Sequence, residues 1–312
     1  MKYEYPGIII LGPTASGKTK LGIDLALRFR GEIVSCDALQ VYRHMDIGTA
    51  KVSPTEKERV RHHMLDLRDP GEDFSAGDYQ RLAREALNEI RSRGNRPFVV
   101  GGTGFYLKAL IEGLFEGPAR SEELRARMRK IIGRRGPGTL HRALRLVDPE
   151  SANRIAEADP ERIIRAYEVR LISGKSISWW QQQPRDVLTG YRWLKLGIDV
   201  PRDLLYQRIN RRVEEMFESG LVEEAKTLLN SYPKCSQAFK AIGYRQISEY
   251  LDGKYSLSQA MDATQMESRR YAKRQLTWFR SDPNILWLDG RLEFDELRSQ
   301  AEIHIANFLN EN

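Results

Sequence analysis

Residues 8–22, IIILGPTASGKTKLG, place a β-rich run, a glycine-rich loop and the start of a helix in direct succession. The loop Gly12-Pro13-Thr14-Ala15-Ser16-Gly17-Lys18-Thr19 satisfies G-x-x-x-x-G-K-[ST], and the strand before it and helix after it give the pattern its meaning. Successive backbone N–H groups and the helix N-terminus form a nest for phosphate oxygens. Lys18 adds a mobile positive charge, and the Thr19 hydroxyl can ligate Mg²⁺. The loop therefore predicts a di- or triphosphate site. It does not say whether the phosphate is transferred or discarded.

The rest of the chain extends the same architecture. A second strand is expected at Glu32–Cys36 and a third at Pro97–Val100. Between them Leu82, Ala83, Ala86, Leu87 and Ile90 recur at helical spacing, ending at Gly94. Strand, helix, strand in this order implies a parallel sheet with right-handed crossovers. After Glu116–Arg120 the texture becomes wholly helical to about Gln183, with breaks at GRRGPG, DPES and DPER. Strand-like runs return at Trp193–Val200 and Ile285–Asp289, and long helices fill the C-terminal third. The expected fold is α/β: a P-loop NTPase-like parallel sheet flanked by helices, formed by residues 1–118 and 190–312, with an all-helical insertion at 119–189.

Composition narrows the partners. The net charge is +7, and residues 121–180 hold 13 Lys and Arg against 8 Asp and Glu, so most of the surplus lies in the insertion. That distribution suits a polyanion. No apolar run reaches the roughly 18–20 residues that span a bilayer, and the N-terminus has no signal-peptide pattern. Two cysteines, Cys36 and Cys235, are too few for a disulfide framework or a Cys-rich zinc site. The expectation is a cytoplasmic protein with free thiols and no membrane segment.

Several residues can carry chemistry. The third expected strand ends in Gly101-Gly102-Thr103-Gly104, with no acidic residue to position Mg²⁺ for hydrolysis. The acidic group follows the second strand instead, as Asp37, on the edge where ligands of open α/β sheets bind. Asp37 fits either a base for a second substrate or a helix N-cap, and Gln40 either reads an amide edge or is an ordinary surface residue. Thr103 can reach a substrate, though GGTG is equally a tight turn. Arg162 and Arg165 share one helical face, as do Arg270, Arg274 and Trp278. Aromatics among cations suit RNA; a solvated basic face over buried aromatics reads the same way. His62 and His63 lack partners at metal spacing and read as structural or surface residues.

The stretches GPTASGKT, DALQVYRHMDIGTAK, HHMLDLRDP, VGGTGFYLKAL, DPERIIRAYEV, AFKAIGYRQ and YAKRQLTWFR occur in the order seen in the bacterial tRNA dimethylallyltransferases, and the resemblance runs from about Ile8 to Trp287. It implies dimethylallyl diphosphate as donor and, as acceptor, N6 of the adenosine just 3′ of the anticodon in tRNAs reading U-starting codons. A small-molecule or nucleotide kinase, and a transferase acting on free adenine nucleotides, are the rival readings. Residue by residue the resemblance implies Asp37 as base or acceptor for the N6 proton, with Lys18, Thr19, the loop amides and Mg²⁺ receiving the diphosphate. Arg212 matches an arginine assisting the diphosphate, with Arg211 beside it as the other register, and Thr103 lies near the reaction centre. Contacts to the anticodon stem-loop are implied for Asp37, Ala38, Leu39 and Gln40, for Thr103 and Arg125, for Glu161, Arg162, Ile163, Ile164 and Arg165, and for Lys240, Ala241, Ile242, Gly243, Tyr244 and Arg245. Ala38 stands where the family usually has serine, removing one hydroxyl contact. A monomer is implied as well.

Overall fold

A computed structural model describes residues 4–311, which divide into two compact units: residues up to 111 with those from 188 onward, and residues 112–187. The first unit begins with β1 (Tyr5–Leu11), α1 (Lys18–Arg28), β2 (Gly31–Cys36), α2 (Pro54–Arg59), β3 (His62–His63), α3 (Ala76–Ser92), β4 (Arg96–Gly101) and α4 (Gly104–Glu112). The second unit holds α5 (Glu122–Arg135), α6 (Pro137–Val147), α7 (Pro149–Arg154), α8 (Pro160–Ser173) and α9 (Ile177–Gln181). The chain then returns as β5 (Tyr191–Asp199), α10 (Arg202–Glu218), α11 (Leu221–Ser231), α12 (Tyr244–Leu251), α13 (Leu257–Phe279), β6 (Ile285–Asp289) and α14 (Phe294–Asn310).

All six strands are parallel, in the order β3-β2-β4-β1-β5-β6. Alternation along the strands sends side chains into two different cores. Ile9, Leu11, Val34 and Val99 join Tyr79, Leu87 and Ile90 of α3 on one face. Ile8, Ile10, Ile33, Phe98 and Val100 join Leu21 and Leu25 of α1 and Ile305 of α14 on the other. A parallel sheet covered on both faces explains why β1 is a continuous apolar run. Each fully buried isoleucine contributes on the order of 2 kcal/mol. The strand at Pro97–Val100 is thus the fourth in chain order, not the third. The one missed is His62–His63, too short for any periodicity. There the Glu32 carboxylate accepts from Arg93, Asn95 and His63, and against the cost of burial these bonds hold it down to about 2.

In the helical unit the three expected breaks are helix boundaries: Gly136 separates α5 from α6, while Asp148 and Asp159 cap α7 and α8 through their side chains. The unit begins seven residues before the expected 119 and ends two before 189. The flanking segments pack with the helices: Arg165 donates to the Pro118 carbonyl at 3.1 Å, and Arg185 pairs with Glu112 at 3.2 Å. Its core is two small clusters, one around Leu144, Ala166 and Val169 and one around Met128, Ile163 and Ile164.

Candidate active site

The phosphate loop owes its shape to two left-handed residues, Ala15 (φ 63°) and Gly17 (φ 89°), which turn successive backbone N–H groups into one concavity. Gly17 sits directly before α1, where a side chain would be strained whatever the space. The Ser16 hydroxyl is buried within the loop without a partner. Lys18 curls back, its ammonium donating to the Pro13 carbonyl at 3.3 Å. Burial first, and the nearby Arg212 charge second, lower Lys18 to about 8.

Arg212 comes from α10, and its Nη1 donates to the Thr14 hydroxyl at 3.4 Å. Burial lowers its pKa, against the attraction of Asp37. The neighbouring Arg211 points outward and pairs with Glu215, so the helix itself resolves which arginine faces the loop. Neither Lys18 nor Arg212 has a carboxylate within ion-pair distance among the described residues. Both are half-buried, and charges drawn out of water are normally paired or coordinating. Two that are not, beside a nest of amides, mark a site built for an anion.

Asp37 follows β2. Its Oδ1 accepts the backbone N–H of Leu39 at 2.9 Å and of Gln40 at 3.4 Å, capping a turn from which no helix grows. Among the described residues Asp37 makes no ion pair, and it lines a cleft of about 340 Å³ with Thr14, Thr49, Arg212, Tyr271 and Arg274. Thr103 braces it: the Thr103 hydroxyl accepts the Ala38 N–H at 3.2 Å, and the Gly102 and Thr103 amides both donate to the Cys36 carbonyl. The Ala38 backbone thus makes a contact that does not depend on its side chain. Burial, with Asp37 adding to it, pushes the Tyr271 phenol up to about 12. On the other side of Arg212 opens a larger cavity of about 1130 Å³, lined by Gly17, Lys18, Thr19 and Arg208.

The DIGTAK stretch forms a wall of both spaces. Glu224 of α11 accepts the backbone N–H groups of Asp46, Ile47 and Gly48 at 2.9, 2.8 and 3.1 Å, and the Tyr244 hydroxyl at 2.6 Å. Lys51 is nearly fully buried and donates to the Tyr42 carbonyl, Asp46 and Asp66. Gly48 has no room for a Cβ, which would meet the Tyr244 ring.

Some residues expected to touch tRNA are engaged elsewhere. Gln40 is spent inside its own loop: Ser35 donates to its Oε1 at 3.0 Å, and its Nε2 faces the Thr49 and Ala50 carbonyls at 3.4 Å. Ile163 and Ile164 are fully buried, because they occupy the core-facing side of α8, and Tyr244 is fully buried on Glu224. Arg125 grips Glu168 through two bonds of 2.9 Å, and Arg165 donates to the same carboxylate at 2.6 Å. Glu161 and Arg162 are exposed on α8, and Lys240 and Arg245 are exposed near the cleft, which Lys240, Ala241, Ile242 and Gly243 line. Tyr271 and Glu224 were not legible in advance. Tyr271 lies beside Arg274 in a stretch whose sequence is dominated by basic residues, and Glu224 resembles any other surface helix glutamate. The spacing of Thr264, Ser268, Tyr271 and Gln275 is the signal that marks a second, uncharged face.

Among the described residues no group of three or more His, Cys, Asp or Glu side chains can hold a metal. Mg²⁺ on a phosphate chain keeps waters and needs few protein ligands, so the Thr19 hydroxyl at the mouth of the larger cavity fits that requirement.

The fold and site define a phosphate-loop α/β protein with an anion cradle beside a cleft holding an unpaired carboxylate. The model of the IPP transferase family matches residues 40–282. The tRNA dimethylallyltransferase of Koribacter versatilis is 52% identical over 282 residues, covering 90% of this chain and 92% of the relative. That of Geobacter sulfurreducens is 48% identical over 295 residues, covering 94% and 95%. Among solved structures, a tRNA isopentenylpyrophosphate transferase from Bacillus halodurans matches with a TM-score of 0.74 at 41% identity, over 99% of this chain and 97% of that one. A eukaryotic dimethylallyltransferase acting on tRNA matches at 0.78 and 27% identity, over 97% and 79%. The chain belongs to the IPP transferase family and is an enzyme of the tRNA dimethylallyltransferase kind.

Proposed function

We propose that the enzyme transfers the dimethylallyl group of dimethylallyl diphosphate to N6 of the adenosine 3′-adjacent to the anticodon in tRNAs reading U-starting codons, releasing diphosphate. The observation that carries this reading is the pair of half-buried cations without carboxylate partners: Arg212 lines one cleft with the unpaired Asp37, and Lys18 lines the cavity that Arg212 also bounds. An exocyclic adenine amine is a weak nucleophile, because its lone pair is delocalised into the ring. Attack on the allylic carbon needs orientation, a proton acceptor and a stabilised leaving group. The N6–C bond forms as the C–O bond to diphosphate breaks. The N6 proton passes to Asp37, and the electron pair leaves with the diphosphate. Lys18, Arg212 and the loop amides take up the charge developing there. Mg²⁺, held through Thr19 and the phosphate oxygens, would supply further neutralisation of the diphosphate. Thr103 fixes the backbone on which Asp37 sits.

The adenosine must leave the anticodon-loop stack to reach this cleft. Arg162, Lys240 and Arg245, all exposed, are the cations of the expected set open to RNA phosphates; the bound guanidiniums of Arg125 and Arg165 shape the helical unit that presents Arg162. No described helix is long and apolar enough to cross a membrane. The same reading has the enzyme working as a monomer in the cytoplasm, which sedimentation and fractionation check.

Purified protein with Mg²⁺, radiolabelled dimethylallyl diphosphate and either unmodified tRNA or AMP tests the reading. Label in tRNA supports it. Label in AMP points to a free-nucleotide acceptor, and phosphate transfer from ATP without prenyl transfer points to a kinase; either would sink it.

A further inference from the structure

The reaction as described leaves unused a buried polar side chain on α13. Gln275 reaches between two loops on the sheet edge: its Oε1 accepts the backbone N–H of Thr14 at 2.9 Å, and its Nε2 donates to the Gly102 carbonyl at 2.8 Å. The Thr14 N–H is therefore withdrawn from the phosphate nest and given to the helix, while the Thr14 hydroxyl accepts from Arg212. On the other side, Gly102 belongs to the turn that carries Thr103 and bonds back to Cys36, the residue before Asp37. One amide thus joins the loop cradling the leaving group to the loop bracing the carboxylate.

The glycines of GGTG follow from the same contact. A Cβ on Gly102 would fall within the Gln275 amide, and one on Gly104 within the Trp278 indole. Gly102 and Gly104 are the positions that let α13 close onto this turn. The GGTG and YAKRQLTWFR stretches are two halves of one joint.

We infer that Gln275 is a positioning residue for carbon transfer: its two-ended amide sets the spacing between the diphosphate cradle and the Asp37–Thr103 pair. The inference rests on the prenyl-transfer reading. Displacement at carbon requires the reacting atoms held about 3–3.5 Å apart and aligned. The two loops leave neighbouring strands that are paired as far as Leu11 and Gly101. Beyond that pairing Gln275 ties one loop to the other, and releasing it leaves a part-buried N–H and a buried carbonyl without this partner.

The tests are Gln275→Met, similar in shape but unable to bond either loop, Gln275→Glu, which keeps the acceptor and loses the donor, and Gly102→Ala, which crowds the amide from the other side. Gln275→Met should lower kcat about 100-fold while the KM values for tRNA and donor stay within about threefold, the pattern of lost orientation with binding intact. Gln275→Glu should fall between. Gly102→Ala should reproduce Gln275→Met, and the double variant should be no worse than either single one. A readout independent of chemistry is amide hydrogen exchange. Magnesium pyrophosphate should protect residues 12–19 and, through Gln275, residues 101–104; in Gln275→Met only the first segment should respond. Should Gln275→Met fail to fold, Gln275→Glu carries both measurements. A kcat within threefold of the unaltered enzyme, absence of transmitted protection in the unaltered enzyme, or its survival in the variant overturns the inference. Glutamine-dependent protection in a protein that transfers no prenyl group would overturn the prenyl-transfer reading and leave the coupling standing.

Discussion

Two places in this enzyme, one in each unit, withdraw charge from water in opposite ways. In the helical unit Glu168 is fully buried and saturated: Arg125, Arg165 and the Ser121 N–H all donate to it. Against the cost of burial these bonds hold it down to about 2. In the α/β unit Lys18 and Arg212 are partly desolvated without a carboxylate partner, and Asp37 shares a cleft with Arg212, bonded only to its own turn. A completed network holds helices in place and has no valence left for a ligand. An incomplete one destabilises the fold slightly and is completed by substrate. The charge at Glu168 serves stability, and the charges at Lys18 and Arg212 serve binding.

The contrast can be broken most forcefully at Asp37. Asp37→Asn keeps the turn and removes the proton acceptor, so prenyl transfer should fall roughly 10³-fold with tRNA binding retained, as measured by single-turnover kinetics and filter binding. Near-normal turnover would remove the base from the mechanism. Lys18→Met should weaken binding of a non-transferable donor analogue roughly 30-fold, the loss expected for a charge-assisted contact, while thermal stability holds or rises because an unpaired buried cation is gone. Titration calorimetry and a melting curve read the two effects. Glu168→Gln should do the reverse: about 3 kcal/mol of stability lost in denaturant melts, from two arginines stranded on a neutral partner, with donor affinity unchanged.

The pH dependences should also diverge. Glu168 has a folded pKa of about 2, below its ordinary 4.5. Its stabilisation is therefore complete above 4.5 and lost as pH falls towards 2. Lys18 has a folded pKa of about 8, below its ordinary 10.5, so the fold bears the cost of its charge at neutral pH and is relieved as pH rises through 8. Donor affinity should move the other way, weakening above a pH of about 8 as the ammonium is lost. Lys18→Arg should abolish that limb. The smallest effect is expected at exposed Arg162, whose pairing with Asp159 is worth little. Arg162→Ala should leave stability unchanged and reduce the salt slope of tRNA binding by about one.

Much of this was legible in advance, and the reasons differ by residue. The sheet announced itself because β1, β2 and β4 are buried on both faces and read as apolar runs. The loop did so because its geometry admits few residue types. The two-residue strand at His62 has no period to detect. Roles on helices were harder, since a residue's type does not say which way it faces. Arg211 and Arg212 are indistinguishable in sequence, yet one meets solvent and the other Thr14. Arg125 looks like a free cation until Glu168, 43 residues on, is folded against it, where Arg165 of the same helix also pairs with it. DIGTAK is distinctive because each polar group in it has an internal task, with Glu224 and Lys51 holding the loop in place.

The amide joint between Thr14 and Gln275 closes across 261 positions of chain, and this bears on how the enzyme comes into being. A chain emerging from the ribosome folds from its N-terminus onward. β1, β2 and β4 can pair early, so the phosphate loop exists long before α13 has been made. Until that helix docks, the phosphate loop and the Thr103 turn lack the amide that ties them together beyond their paired strands. In chain order the loop comes first, Arg212 of α10 follows it, and the residue that joins the loop to the Thr103 turn is made after both.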